Sequence, residues 1–185
     1  MQNVELKARY PDLQRARQIC LELGAKLLRS EEQVDTYLQV RAGRLKIRES
    51  QSETSLIYYD RPDQSGPTVS SFEVAPMPTE PSKLKAVLVR VLGTRGVVKK
   101  CREVFALGPV RIHVDEVSGL GSFLEFEYTV GRAGDDELTA RKRLDELQES
   151  FGISKNQLVE TSYLDLVMRT SRESRVATPK SGSGL

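Results

Sequence analysis

The chain has 185 residues, 38% of them hydrophobic and 29% charged, a length that suits one domain with its own core and leaves little room for a second. Its 28 basic and 26 acidic residues give a net charge of +2, too balanced for an overall attraction to nucleic acid, so placement of the charges matters more than their sum. Two cysteines, Cys20 and Cys101, make no disulfide framework or metal-ligand cluster, and no apolar run approaches the roughly 18 residues of a membrane span.

The chain opens on "NVELKARY", where Val4, Leu6 and Ala8 alternate with Asn3, Glu5, Lys7 and Arg9 as in a half-apolar strand. "PDLQRARQICLELG" follows with Leu13, Ala16, Ile19, Cys20 and Leu23 at helical spacing, Pro11 suiting the start and Gly24 the position past the end. "VDTYLQVRAGRLKIRES" reads as a hairpin turning at Ala42-Gly43, and "TSLIYYDRPD" and "TVSSFEVA" as further strands around a loop over residues 64–67. "PSKLKAVLVRVLG" predicts a helix with Ser82 as cap, Leu84, Val87, Leu88 and Val91 on one face, and Gly93 as stop. Strands resume with "RGVVKKCREVFA", "GPVRIHVDEV" and "GSFLEFEYTV".

The last third is helical. "DDELTARKRLDELQESFG" places Leu138, Leu144, Leu147 and Phe151 along one stripe, with its charges on a solvated face in i,i+4 pairs. "SKNQLVE" and "SYLDLVMR" begin with serine caps, the second with Asp165 in a capping-box arrangement. The tail after about Arg172 is small, polar and aperiodic and reads as disordered, which sets the domain at 1–170 and the tail at 171–185. The polar N-terminus does not resemble a secretory signal, so the expected location is the cytoplasm. The tally is about eight strands and three or four helices.

Successive side chains of a strand point to opposite faces, so each strand can be read by parity. Glu5 and Lys7 oppose Val4 and Leu6; Arg44, Lys46 and Arg48 oppose Leu45 and Ile47; Tyr59 and Arg61 share a face, as do Lys100 and Arg102. Arg111, His113 and Asp115 oppose Ile112 and Val114, and Glu125 and Glu127 oppose Leu124 and Phe126. Helices with apolar stripes need a surface to cover, and the apolar strand faces provide it. The charged faces must then look away from the core. In an open sheet they meet solvent as a salt-bridged surface; in a closed barrel of about eight strands they meet one another. Closure is costly without partners, since two like charges 4 Å apart repel by about 4 kcal/mol at an effective dielectric near 20. A face carrying Lys7, Lys46, Arg48, Arg61, Lys100 and Arg102 suits a multiply charged anion such as phosphate. Glu5, Asp115, Glu125 and Glu127 are then placed to hold Mg²⁺ or Mn²⁺ through oxygen ligands. His113 is expected to make a structural hydrogen bond, Cys101 to pack outward against a helix, and Cys20 to lie in the core.

In this order, "NVELKAR", "GRLKIRE", "YYDRPD", "VVKKCRE" and "DEVSGLGSFLEFE" resemble the CYTH superfamily of triphosphate tunnel enzymes, over roughly Met1 to Met168. "SYLDL" brings the likeness closer to the class IV adenylate cyclase branch. The resemblance implies an α+β fold: an eight-stranded antiparallel barrel with helices packed on its outside, binding a triphosphate with divalent metal. It implies that Lys46, Arg48, Arg61, Lys100 and Arg102 grip phosphate, that Asp115, Glu125 and Glu127 lie on metal-binding strands, and that Glu5, Lys7 and Glu127 serve catalysis. The family's opening Glu-x-Glu-x-Lys is Asn3-x-Glu5-x-Lys7 here, and Asn3 brings no charge to a second metal site or to a nucleophile at that end.

The implied activity is conversion of ATP to cyclic AMP and pyrophosphate. The alternatives are hydrolysis of inorganic, thiamine or nucleoside triphosphate in the same cradle, and a non-catalytic polyphosphate-binding module. A nucleic-acid partner is not expected, because "YLQVR" and "LIYYD" offer few stacking platforms. Dimerisation is implied only by the likeness to the cyclase branch.

Overall fold

A computed structural model describes residues 2–64, 66–78, 80–131 and 136–176. Eight strands form one closed antiparallel barrel: β1 (Gln2–Arg9), β2 (Lys26–Leu38), β3 (Arg44–Ser50), β4 (Thr54–Asp60), β5 (Thr68–Pro76), β6 (Thr94–Leu107), β7 (Val110–Val117) and β8 (Gly121–Thr129). Around the barrel the order is β1-β5-β4-β3-β2-β6-β7-β8, closing where β8 pairs with β1. Helices α1 (Leu13–Glu22), α2 (Pro81–Leu92), α3 (Glu137–Ser150) and α4 (Tyr163–Val176) complete the chain, with a short 3-10 turn at Lys155–Gln157.

The apolar parity of β1, β7 and β8 faces outward. Val4, Leu6 and Ala8 join Ile112, Val114, Leu124, Phe126 and Tyr128 in one buried core beneath α1 and α3, which contribute Ile19, Cys20, Leu144 and Leu147, with Phe151 capping α3. Phe126 and Phe151 meet with ring centroids 5.1 Å apart. The greasy side of "SFLEFEY" is therefore under the helices, and Glu125 and Glu127 look into the barrel. Leu138, expected on the α3 stripe, is instead exposed, because it lies on the first turn beyond the covered strands. Glu137–Arg141 and Arg143–Glu146 pair on the solvent side of α3.

Helix α2 departs further from the expected pattern. Its N-cap is Glu80 with Pro81 in the first turn, so Ser82 lies inside the helix. None of its residues is fully buried. Leu84, Leu88 and Leu92 are half-buried, whereas Val87 and Val91 face water. The helix carries two adjacent apolar rows and rests only one of them on the barrel. Cys101 points outward as its parity requires but is exposed rather than packed against a helix.

Strand β2 begins at Lys26, well before the predicted hairpin, and follows β6 to Leu38 with register shifts at Leu27/Arg29 and Tyr37/Leu38. The hairpin turn between β2 and β3 falls where expected. Gly43 has φ 62°, and a Cβ there would stand 2.5 Å from the Tyr58 hydroxyl oxygen.

The inner side of the barrel is not polar throughout. Phe123, on the same face as Glu125 and Glu127, packs with Val98, Val117 and Tyr37 against Tyr163 and Leu164 of α4. This apolar cluster closes one end of the bore. Ser162 caps α4 as predicted, accepting from Asp165 N–H and donating to its carboxylate at 2.6 Å. The helix continues to Val176, past the predicted edge of the tail; the remainder of the tail lies outside the described residues.

Phe126→Ala should cost about 3–5 kcal/mol, the toll of emptying an aromatic site in a packed core. Val91→Ala, on the uncovered row of α2, should stay within about 0.5 kcal/mol. Chemical denaturation of the two variants checks which helix faces carry the fold.

Candidate functional site

The barrel encloses a cavity of about 530 Å³. Among the described residues, eight basic side chains line it against four acidic ones: Lys7, Arg44, Lys46, Arg48, Arg61, Lys100, Arg102 and Arg111 against Glu5, Asp35, Glu125 and Glu127. A chain with a net charge of only +2 thus concentrates its excess of positive charge in one hollow. Every basic residue picked out by strand parity is among those lining it.

The organising acid is Asp35, which no strand motif had singled out. Its carboxylate accepts from Lys46 at 3.0 Å, from Arg48 at 2.7 and 2.8 Å, and from Lys100 at 3.0 Å. Burial opposes its ionisation, but Lys46, Arg48 and Lys100 outweigh that and hold the carboxyl well below its ordinary range. One negative charge cannot satisfy three positive ones. The strain falls on the lysines: burial and then the neighbouring Arg48 push Lys100 down to about 7 and Lys46 to about 8. The signal for Asp35 was present in "VDTYL", where Asp35 and Tyr37 alternate with Val34, Thr36 and Leu38, but a single acid among apolar residues does not stand out as a charged pair does.

Arg61 shows the same surplus more directly. It is 6% exposed, its Nε lies 3.5 Å from Glu5, and Nε and Nη2 make no hydrogen bond. A buried guanidinium with donors left unused is costly unless something else supplies the acceptors. Arg44, near the closed end, is held by Asp63 at 2.8 Å and by Asp165 of α4 at 3.0 Å.

The acids gather on the opposite wall. Glu5 pairs in register with Glu127, Lys7 with Glu125, and His113 with Glu125. Burial, and then Glu125, push Glu5 up to about 7, as expected where carboxylates crowd without enough cations. His113, Glu125 and Glu127 present ligand atoms that all lie within 4.8 Å of one another. This set of oxygens and one nitrogen fits a divalent cation. Asn3 donates weakly to Glu127 at 3.5 Å and leaves its own Oδ1 without a partner.

Asp115 is placed differently from the other predicted metal residues. It is wholly buried, takes two hydrogen bonds from Arg102 at 2.6 and 2.7 Å, and accepts the Tyr163 hydroxyl at 2.8 Å. Its oxygens are engaged by the structure, so it acts as a strut that aims Arg102, which also donates to Glu125 at 2.7 Å. Tyr163 does further work, placing its ring 4.4 Å from the Lys7 ammonium. His113, expected to be hydrogen-bonded, has no partner for Nδ1.

Asp35→Ala should destabilise the protein by about 3–5 kcal/mol, because three buried cations lose their shared counter-charge. Inorganic tripolyphosphate should restore much of that loss in urea or thermal unfolding. A variant as stable as the parent would show that the cations do not depend on Asp35.

Comparison with known proteins places this architecture. A protein of Methanocaldococcus jannaschii named as a candidate adenylate cyclase is 24% identical over 176 residues, covering 90% of this chain and 98% of the relative. The structure of the PH1012 protein from Pyrococcus horikoshii superposes with a TM-score of 0.76 at 21% identity, covering 89% and 98% of the two chains. A Hippeastrum protein, described as a candidate adenylyl cyclase with a dominant triphosphatase activity, superposes with a TM-score of 0.61 at 17% identity over 91% and 96%. The CYTH domain family model matches residues 1–163. With the barrel and its basic hollow, that match establishes that the chain belongs to the CYTH family, whose members bind triphosphates.

Proposed function

We propose that the chain is a divalent-metal-dependent enzyme that converts ATP to cyclic AMP and pyrophosphate. The observation that carries the substrate class is the unbalanced cradle: three cations on the single carboxylate of Asp35, and a buried Arg61 with two donor atoms unused. A triphosphate supplies the missing charge and acceptors. Arginine meets phosphate oxygens in a two-pronged way, and the lysines add point charges that need no fixed direction.

Glu5, Glu125 and Glu127 would hold the metal, and a bound Mg²⁺ or Mn²⁺ would act as a Lewis acid on a phosphoryl oxygen. Asp115 keeps Arg102 pointed at the acidic wall, and Lys7 is fixed between Glu125 and the Tyr163 ring. These fixed charges bind and orient the chain of phosphates and stabilise charge as it builds on the leaving pyrophosphate. In the cyclising reaction the ribose 3′-hydroxyl loses its proton to water as its oxygen bonds to the α-phosphorus, and the bond from the α-phosphorus to the β-phosphate oxygen breaks to release pyrophosphate. The apolar cluster of Phe123, Tyr163 and Leu164 excludes water from the far end of the bore. Ile57, Phe72 and Val74 also line the cavity and give an organic group an apolar surface that inorganic triphosphate would not need.

Hydrolysis of a triphosphate is the second reading, favoured by the activity described for the Hippeastrum protein. Incubation with ATP and with tripolyphosphate, each with Mg²⁺ or Mn²⁺, separates the two. Cyclic AMP with pyrophosphate is the expected product set. Orthophosphate without cyclic AMP would replace cyclisation by hydrolysis, and tight binding without turnover would leave a binding module. Arg61→Ala should lower turnover by about 100-fold or more while the unfolding midpoint holds, the usual scale for losing a donor to transition-state charge.

The depressed lysines set a pH dependence. Burial and then Arg48 push Lys100 down to about 7, whereas a bound polyanion would favour the charged form and move it back toward 10.5. Between those limits binding takes up protons, so affinity should fall as pH rises above 7. Calorimetry in two buffers of different ionisation enthalpy at pH 8 should register this uptake, and Lys100→Met should reduce it.

A further inference from the structure

His113 lies outside the phosphate cradle and outside the all-oxygen metal set read from the sequence. It is the one histidine of the chain, and it is 6% exposed. Strand β7 aims it inward beside Glu125, its register partner on β8. Its Nδ1 is 3.6 Å from a Glu125 oxygen and 3.6 Å from a Glu127 oxygen, and it makes no hydrogen bond. A buried ring nitrogen that makes no hydrogen bond is costly, and the two carboxylates reach this one only at ion-pair distance. These separations are too long for hydrogen bonds. They match donors around a common ion, since bonds of about 2.1 Å put neighbouring ligand atoms roughly 3–4 Å apart. Glu125 Oε2 already accepts from Arg102, but a carboxylate oxygen has a second lone pair to offer.

We propose that His113 is a direct metal ligand through Nδ1, forming with Glu125 and Glu127 a mixed nitrogen–oxygen site that selects a first-row transition cation such as Mn²⁺ over Mg²⁺. This rests on the metal-dependent reading above and adds a ligand and a preference to it. The chemistry follows from the donors. Mg²⁺ takes oxygen and water in strict octahedral geometry, whereas imidazole nitrogen favours transition ions in the order of their general affinity for such sites. The geometry also assigns the roles of neighbouring groups. Glu5, across from Glu127 in register, remains available to the same ion as an oxygen donor. Asp115 is more heavily engaged, by Arg102 on both oxygens and by Tyr163 on one.

The test uses the full chain without a histidine tag, loaded with Mn²⁺ alone. Because no other histidine exists, imidazole ¹⁴N modulation in the pulsed electron paramagnetic resonance of bound Mn²⁺ can come only from His113. The expected result is that modulation in the parent, its absence in His113→Gln, and a loss of about tenfold or more in Mn²⁺ affinity with little change for Mg²⁺. Glu127→Gln, which keeps the imidazole, should retain the nitrogen signal while binding more weakly. Bound Mn²⁺ without nitrogen modulation, or a Mn²⁺ to Mg²⁺ preference unchanged by His113→Gln, overturns the assignment and leaves the carboxylate site standing. No Mn²⁺ binding by the parent overturns both this proposal and the metal-dependent reading.

Discussion

The structure depends on a charge imbalance enclosed in a barrel. Lys46, Arg48 and Lys100 converge from two strands on Asp35 of a third, and all three share this one carboxylate. Closure brings like charges to distances where their repulsion would rival the stability of a domain of this size. The protein meets the cost partly by Asp35 and partly by making its lysines easier to deprotonate. The residual positive charge is what a polyanion would neutralise, so the same imbalance that taxes the fold prepares the site.

The acidic wall poses the opposite problem. Glu5, Glu125 and Glu127 crowd at paired positions on β1 and β8, and Lys7 and Arg102 answer only part of their charge. Strand register thus sorts the bore into a cationic side built on β2, β3 and β6 and an anionic side on β1 and β8. An anion and a cation can enter together, each relieving one wall. Asp115 shares a face with His113 and braces Arg102 from a position sealed by Tyr163.

The exterior is equally uneven. Helices α1 and α3 bury the outer faces of β1, β7 and β8, where the acids must be held in fixed register. On the other side α2 rests one row of leucines on the barrel and leaves Val87 and Val91 in water. Helix α4 serves another purpose, sending Tyr163 and Leu164 into the mouth of the bore to meet Phe123. Its Asp165 also anchors Arg44 and Arg95, so the closed end is fastened by charge as well as by packing.

Alternation along each strand determined most of this before any tertiary contact was known. A period of two leaves no freedom: once Leu124 and Phe126 lie under a helix, Glu125 and Glu127 must face the bore. The same logic placed Lys7, Lys46, Arg48, Arg61, Lys100 and Arg102, and the ordered motifs carried the resemblance to the family. What only the folded chain decided is which groups meet across strands far apart in sequence. Asp35 became the hub because β2 lies between β3 and β6, Asp115 became a strut because α4 covers it, and the Val87 row stayed wet because α2 has one surface to rest on. Periodicity reports which way a side chain points; partnership depends on neighbours that a linear pattern does not contain.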